Sequence, residues 1–123
     1  MSIVVGHLST PEGQEALTTA VTEARQRNVD LIVVVTSRED DDGAQAAAVA
    51  ALEARLADAG IEHKIVPGTG DLAEDLVRTA GESGAELIVI GLRRRSPVGK
   101  LILGSGAQRI LLEAPCPVLA VKP

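Results

Sequence analysis

The chain contains no Phe, no Trp and no Tyr. Its core must therefore be built from Val, Ile, Leu and Ala. No ring is available to stack on an exposed base, which weighs against single-stranded nucleic-acid binding. Cysteine is almost absent as well. Cys116 alone cannot form an internal disulfide, so a reducing, cytoplasmic setting is expected. No apolar run approaches the roughly 18 residues of a membrane span, so no membrane role is expected. The opening Met1-Ser2-Ile3-Val4-Val5 lacks a charged leader and a long apolar stretch, and reads as a first strand rather than a signal peptide. Metal and catalytic patterns are missing too. His63 has no second His or Cys spaced with it as a metal ligand, and Glu39-Asp40-Asp41-Asp42 lacks the ligand spacing and closing Glu of a calcium loop. There is no P-loop pattern. Ser105 has no nucleophile-elbow setting, and Cys116, between two prolines, has no visible base. Neither a metal site nor a catalytic residue is expected.

What is present is an alternation of apolar runs and amphipathic stretches. The 123 residues, 46% hydrophobic, suit one domain spanning 1–123. Ile3-Val4-Val5, Leu31 to Val35, Leu87 to Ile90 and Val118 to Val121 are continuous apolar runs of the kind buried in parallel sheets. Ile61 to Val66 alternates more and carries Lys64, which suits a sheet edge. Four helical patterns lie between them. Ser9 or Thr10 can cap the first, Pro11 suits its first turn, and Asn28 is a left-handed stop. Ala44 to Ala59 forms the second, stopped by Gly60. Asp71 caps the third, with Leu72, Leu76, Val77 and Ala80 as its apolar stripe and Gly84 as its end. Ala107 to Ala114 is the fourth, closed by Pro115-Cys116-Pro117. Strand–helix alternation at this spacing predicts a doubly wound α/β domain with right-handed crossovers and helices on both faces. Ligands of such sheets sit beyond the carboxyl ends of the strands, where strand order reverses. If the first and fourth strands meet there, the loops after Val5 and Ile90 share one crevice.

The stretch from Gly91 to Ser105, GLRRRSPVGKLILGS, follows the fourth strand and precedes the fourth helix. A strand, a glycine-bearing loop and a helix start are how α/β proteins hold phosphate. Between Gly91 and Leu112 stand Arg93, Arg94, Arg95, Lys100 and Arg109 and no acidic residue, on a chain of net charge −5. A basic loop on an acidic body suits a small anionic ligand or an acidic partner. It does not supply the broad basic face that nucleic acid requires. The plainer alternative is a solvated arginine loop. Ser105 is expected to cap the fourth helix, with the N–H groups of Gly104, Ser105 and Gly106 opening it toward phosphate. His7, after the first strand, is either a half-buried polar residue or a ligand donor.

Gly70-Asp71-Leu72-Ala73, Ala85 to Gly91, Gly104-Ser105 and Ala114-Pro115-Cys116-Pro117-Val118-Leu119-Ala120-Val121 together resemble the universal stress protein family over nearly the whole chain. That resemblance implies a five-stranded parallel sheet of order 3-2-1-4-5 with four helices. It also implies a homodimer joined through the last strand, here Val118, Leu119, Ala120 and Val121. Many members bind ATP or AMP and few turn over substrate. In the family's phosphate-loop frame, Gly91, Gly104 and Ser105 match, while Arg94 replaces the second glycine. Its side chain would either obstruct the loop's approach to phosphate or grip it bidentately. Many members end the first strand with a nucleoside-binding aspartate; here Leu8 stands in that place. The candidate phosphate and nucleotide residues are Gly91, Arg93, Arg94, Gly104, Ser105 and Gly106. Gly6 and Val35, at the ends of the first two strands, join them. Three functions compete: a nucleotide-binding stress protein without turnover, a dimeric interaction module that has lost the nucleotide, and a small nucleotide-dependent enzyme. The absent acid/base pair counts against the last. The expected site recognises phosphate better than nucleoside.

Overall fold

The computed structural model describes residues 1–7, 10–35, 42–92 and 104–122. Leu8, Ser9, Arg93, Arg94, Arg95 and Lys100 lie outside the described residues. The elements alternate as β1 (Ser2–His7), α1 (Pro11–Arg27), β2 (Asp30–Val35), α2 (Asp42–Asp58), β3 (His63–Pro67), α3 (Leu72–Ser83), β4 (Leu87–Gly91), α4 (Ser105–Glu113) and β5 (Val118–Val121). All pairings are parallel, and the sheet runs β3-β2-β1-β4-β5. The expected α/β order is therefore the observed one.

The continuous apolar runs are explained by cover on both sheet faces. Successive side chains of a strand point to opposite faces. Ile3, Val5, Leu31, Val33, Leu87 and Val89 pack with Ala16, Leu17, Ala20 and Ala24 of α1 and Leu52 and Leu56 of α2. Val4, Ile32, Val34, Ile88 and Ile90 pack with Ala73, Leu76 and Ala80 of α3 and Ile110 of α4. With no aromatic residue to fill wide gaps, alanines on the helices bring backbone close to the sheet.

Helix ends follow from local chemistry. The Thr10 hydroxyl accepts from the Gly13 N–H at 3.2 Å, and Pro11 opens α1. Asn28 closes it in the left-handed region at φ 55°. Asp71 caps α3 by accepting from the Glu74 N–H at 3.2 Å, and Gly84 ends it at φ 64°. Several boundaries differ from expectation: α2 begins at Asp42 and not at Ala44, and two others have a local cause. The Ile61 N–H turns back to the Leu56 carbonyl at 3.4 Å, closing the end of α2, so β3 begins at His63. The fourth helix begins at Ser105, not Ala107. Its cap is Gly104, in extended backbone at φ −69° and ψ 166°, which offers no side-chain hydrogen bond to the first turn. Ser105 is already inside the helix, where its hydroxyl no longer occupies the capping position.

Candidate functional site

The β1–β4 ladder runs from Ile3↔Leu87 to Val5↔Val89 and stops. Beyond it β1 continues only against β2, with Gly6 opposite Val34 and His7 opposite Val35. β4 continues only against β5, with Ile90 opposite Ala120 and Gly91 opposite Val121. The sheet thus splits at its carboxyl edge, at the point where strand order reverses. The connection after β1 leads to α1 on one face, and that after β4 leads to α4 on the other.

The split opens into a cavity of about 160 Å³. Gly6 of β1 and Val89, Ile90 and Gly91 of β4 form its floor. Gly13 and Ala16 of α1 close one side; Leu72, Ala73 and Leu76 of α3 and Gly106, Ala107 and Ile110 of α4 close the other. Three helices reach it with their N-terminal halves. Among the described residues, no side chain on the wall is polar.

The glycines around this cavity are there for different reasons. A Cβ on Gly91 would lie 2.2 Å from the Glu12 carbonyl oxygen. Gly91 is therefore required by the first turn of α1, which lies against the end of β4. A Cβ on Gly6 would meet the Leu72 side chain at 2.9 Å. Gly106 is not crowded: a Cβ there would find only the Ala73 Cβ, at 3.9 Å.

Charge is unevenly placed at the helix starts. The first turn of α1 carries Glu12 and that of α3 carries Glu74 and Asp75, whereas α4 carries no acid there. The α4 terminus is also the one without a side-chain cap among these three. Its partial positive charge is left for whatever sits above it. Arg109, one of the basic residues of this segment, is already engaged. Its guanidinium donates to Glu113 at 2.8 Å and to the capping Asp71 at 3.1 Å. It ties α4 to the start of α3 and is not a spare cation for a phosphate.

Of the residues singled out from sequence, Gly6, Gly91 and Gly106 share the cavity wall. Gly104 and the exposed Ser105 stand at the start of α4. Val35 is buried at the end of β2, and its carbonyl accepts from the Gly68 N–H at 2.7 Å. Arg93 and Arg94 lie outside the described residues. His7 is half-buried at the end of β1, away from the described cavity wall, and its Nδ1 is enclosed without a hydrogen-bond partner among the described residues. Burial and the Arg55 charge hold its pKa below the usual 6.5, so the imidazole is neutral at neutral pH. Cys116 is half-buried and its thiol is pushed up by desolvation, which makes it a poor nucleophile.

One cluster escaped the sequence reading. Asp75 of α3 is fully buried. Its carboxylate accepts from the Thr69 N–H at 2.7 Å, the Thr69 hydroxyl at 2.9 Å and Arg78 Nη2 at 2.8 Å. Burial alone would raise its pKa, but the hydrogen bonds from Thr69 and Arg78 outweigh that and hold it below the usual 3.8. A Cβ on Gly68 would fall 2.7 Å from Asp75 Oδ2. Asp75 thus fastens the loop between β3 and α3 against the end of β2, beside the split. The available signal was its helical position: Asp75 stands between the apolar Leu72 and Leu76 and four residues before Thr79, on the buried face.

Comparison with known proteins agrees with this architecture. The universal stress protein family model matches residues 1–122. The chain belongs to that family. A universal stress protein of Mycolicibacterium smegmatis is 44% identical over 98% of this chain and 97% of its own length. The solved structure of a universal stress protein from Archaeoglobus fulgidus superposes with a TM-score of 0.80 at 31% identity, over 99% of this chain and 98% of that one. An Archaeoglobus fulgidus universal stress protein solved in complex with dAMP gives a TM-score of 0.76 at 27% identity, over 99% and 98% of the two chains.

Proposed function

We propose that this universal stress protein binds an adenine nucleotide through its phosphate, as a cytoplasmic homodimer and without catalytic turnover. The observation that carries the reading is the start of α4. Gly104 leaves the first-turn N–H groups without a side-chain cap, no acid competes there, and Gly106 and Ala107 face the split between β1 and β4. Phosphate gains about 0.3–1 kcal/mol from such a helix end near the surface. Arg93 and Arg94, on the connection into α4, add charge-assisted contacts of roughly 1.5–3 kcal/mol each where they are desolvated. The relative that binds dAMP supports an adenine mononucleotide. Leu8, in the place of the family's aspartate, removes the carboxylate that would hold the nucleoside. The site therefore favours phosphate over nucleoside, with micromolar or weaker affinity for ATP that falls steeply with salt.

The dimer is supported by β5, an edge strand that is half-buried along its whole length, and by the apolar Leu111 and Leu112 on α4, 44% and 86% exposed. Pairing of Val118, Leu119, Ala120 and Val121 with their copies across a two-fold axis would cover an edge that otherwise invites association. Calorimetry at low salt with AMP, ATP, cyclic AMP and pyrophosphate tests the binding reading. Saturable heats abolished by about 0.5 M salt are expected, since the Debye length there is well below 10 Å. The absence of heat with all four would leave the second reading, a dimeric interaction module. The wholly apolar described wall of the cavity favours that alternative.

A further inference from the structure

Gly6 is bare on its strand, but the space above it is taken. A Cβ added there would lie 2.9 Å from Leu72 Cδ1, 3.1 Å from Cδ2 and 3.3 Å from Cγ. The Leu72 side chain therefore lies across the end of β1. Leu72 is the first residue of α3, and that position asks for no long side chain. Its N–H makes no intrahelical bond, and proline is favoured there. Nor does the core on this face depend on it. Val4, Val34, Ile88, Leu76 and Ala80 are buried together, and the half-buried Leu72 packs at their margin. Its place is fixed from two directions. Asp71 caps α3 and holds Arg109 of α4 through its other oxygen, at 3.1 Å. The buried Asp75 fastens the preceding loop through Thr69.

Resting on the phosphate reading of the α4 start, we propose that Leu72 sets ligand specificity at the β1–β4 split. Its side chain closes the β1 end to a nucleoside and leaves room for inorganic or compactly substituted phosphates. One wall is shared by Gly106 and Ala107 of α4, Ile90 and Gly91 of β4 and Gly6 of β1. A group carried inward from a phosphate at α4 reaches the β1 end only through the volume of the Leu72 isobutyl group. Leu8 follows in the sequence and brings no carboxylate to draw a ribose or base inward. A nucleoside bound to the unaltered chain then stays outside, in water, where it adds little to the affinity of the phosphate. Leu72 acts by shape alone, and a single methylene of pocket space changes affinity by about tenfold or more.

The test is calorimetry at low salt with AMP and pyrophosphate, on the full chain and on Leu72→Ala, which removes Cγ and both Cδ atoms. Wild type should bind pyrophosphate at least as tightly as AMP. In Leu72→Ala the ratio of AMP to pyrophosphate affinity should rise about tenfold or more, the factor carried by one methylene of pocket space. A purely structural role would lower the melting temperature and weaken both ligands together, leaving that ratio alone. If Leu72→Ala fails to fold, Leu72→Val should raise the ratio by a smaller factor. A ratio within about twofold of wild type in the folded variant, well short of that factor, overturns the role of Leu72 and leaves the phosphate reading standing. A wild type that prefers AMP overturns it too. No heat from either ligand with any of these proteins removes the phosphate reading itself, and the role of Leu72 with it.

Discussion

Removing the Asp75 carboxylate should cost more than any other single charge change among the described residues. Asp75→Ala leaves the Thr69 N–H and hydroxyl facing a vacated, fully buried position. Each unsatisfied buried donor costs about 1–3 kcal/mol. Arg78 contributes less, because its side chain is 40% exposed and can return to water. The total expected is about 3–5 kcal/mol, the range found when one partner of a buried ionic contact is deleted. Domains of this size have only about 5–15 kcal/mol to lose. Asp75→Asn keeps the shape and one acceptor oxygen but turns an amide N–H toward a Thr69 donor. About 2 kcal/mol is expected for that change. By contrast, Asp71→Ala removes a cap and an exposed contact to Arg109, and about 1 kcal/mol is expected from the cap.

The pH dependence gives a second, independent reading of the same group. The folded pKa of Asp75 is held below its usual 3.8, so the unfolded chain takes up the proton first as pH falls. The stabilisation is fully present above the unfolded value and is lost as pH drops through the folded one. Urea unfolding at a series of pH values from 7 to 3 measures both quantities. Wild type should lose stability below about pH 4, as a carboxylate of ordinary unfolded pKa requires, and Asp75→Asn should show a shallower loss there. The midpoint should move with an unchanged m-value. A loss below about 1 kcal/mol for Asp75→Ala at pH 7, the range of an ordinary surface contact, would refute this account. An Asp75→Asn slope identical to wild type below pH 4 would refute it as well.

Gly91→Ala should destabilise by about 1–3 kcal/mol, the usual cost of overpacking, because its Cβ would fall against the Glu12 carbonyl; denaturant melts and AMP calorimetry together would show whether binding suffers with it. His7 gives the opposite acid signature to a stabilising histidine. Its folded pKa lies below 6.5, so the unfolded state binds the proton first, and stability should fall as pH drops below that value and level off once the folded group also protonates. His7→Gln should flatten the stability profile between pH 7 and 5, and an unchanged profile would rule out the enclosed neutral imidazole. Leu112→Glu, at a side chain 86% exposed, should leave the melting behaviour of the subunit intact but give monomers in sedimentation if α4 and β5 form the dimer face. Wild type that sediments as a monomer at micromolar concentration would remove the dimer itself.

The fold was legible because cover on both faces writes itself into sequence as unbroken apolar runs. Ile3-Val4-Val5 marks β1 even though the strand extends to Ser2 and His7, whose pairing with Asp30 and Val35 is a property of β2. The errors fall where one residue serves two elements. Ile61 is apolar and buried, as a strand residue would be, but its N–H closes the last turn of α2. Ser105 has the chemistry of a cap, yet Gly104 takes the extended conformation that capping needs. Propensity ranks the residue type, and the neighbour's backbone decides the position.

The site was legible only in part, and the glycines show why. Gly91 and Gly106 both read as places where backbone approaches a phosphate. The first is fixed by the carbonyl of Glu12, a residue most of the chain away; the second borders open space. Nothing local separates these two cases, because the deciding atom belongs to another element. Charge is a different kind of guide, since electrostatic pattern survives without contacts. The absence of acid between Gly91 and Leu112 points to α4, and among α1, α3 and α4 it is the terminus without an acid in its first turn or a side-chain cap. Arg109 marks the limit of that guide. It carries the expected sign and lies on the expected helix, but Asp71, which also caps α3, has already taken it. Net charge along a segment therefore points to the helix end that an anion would favour, while the hydrogen-bond partners of each cation decide which of them could serve it.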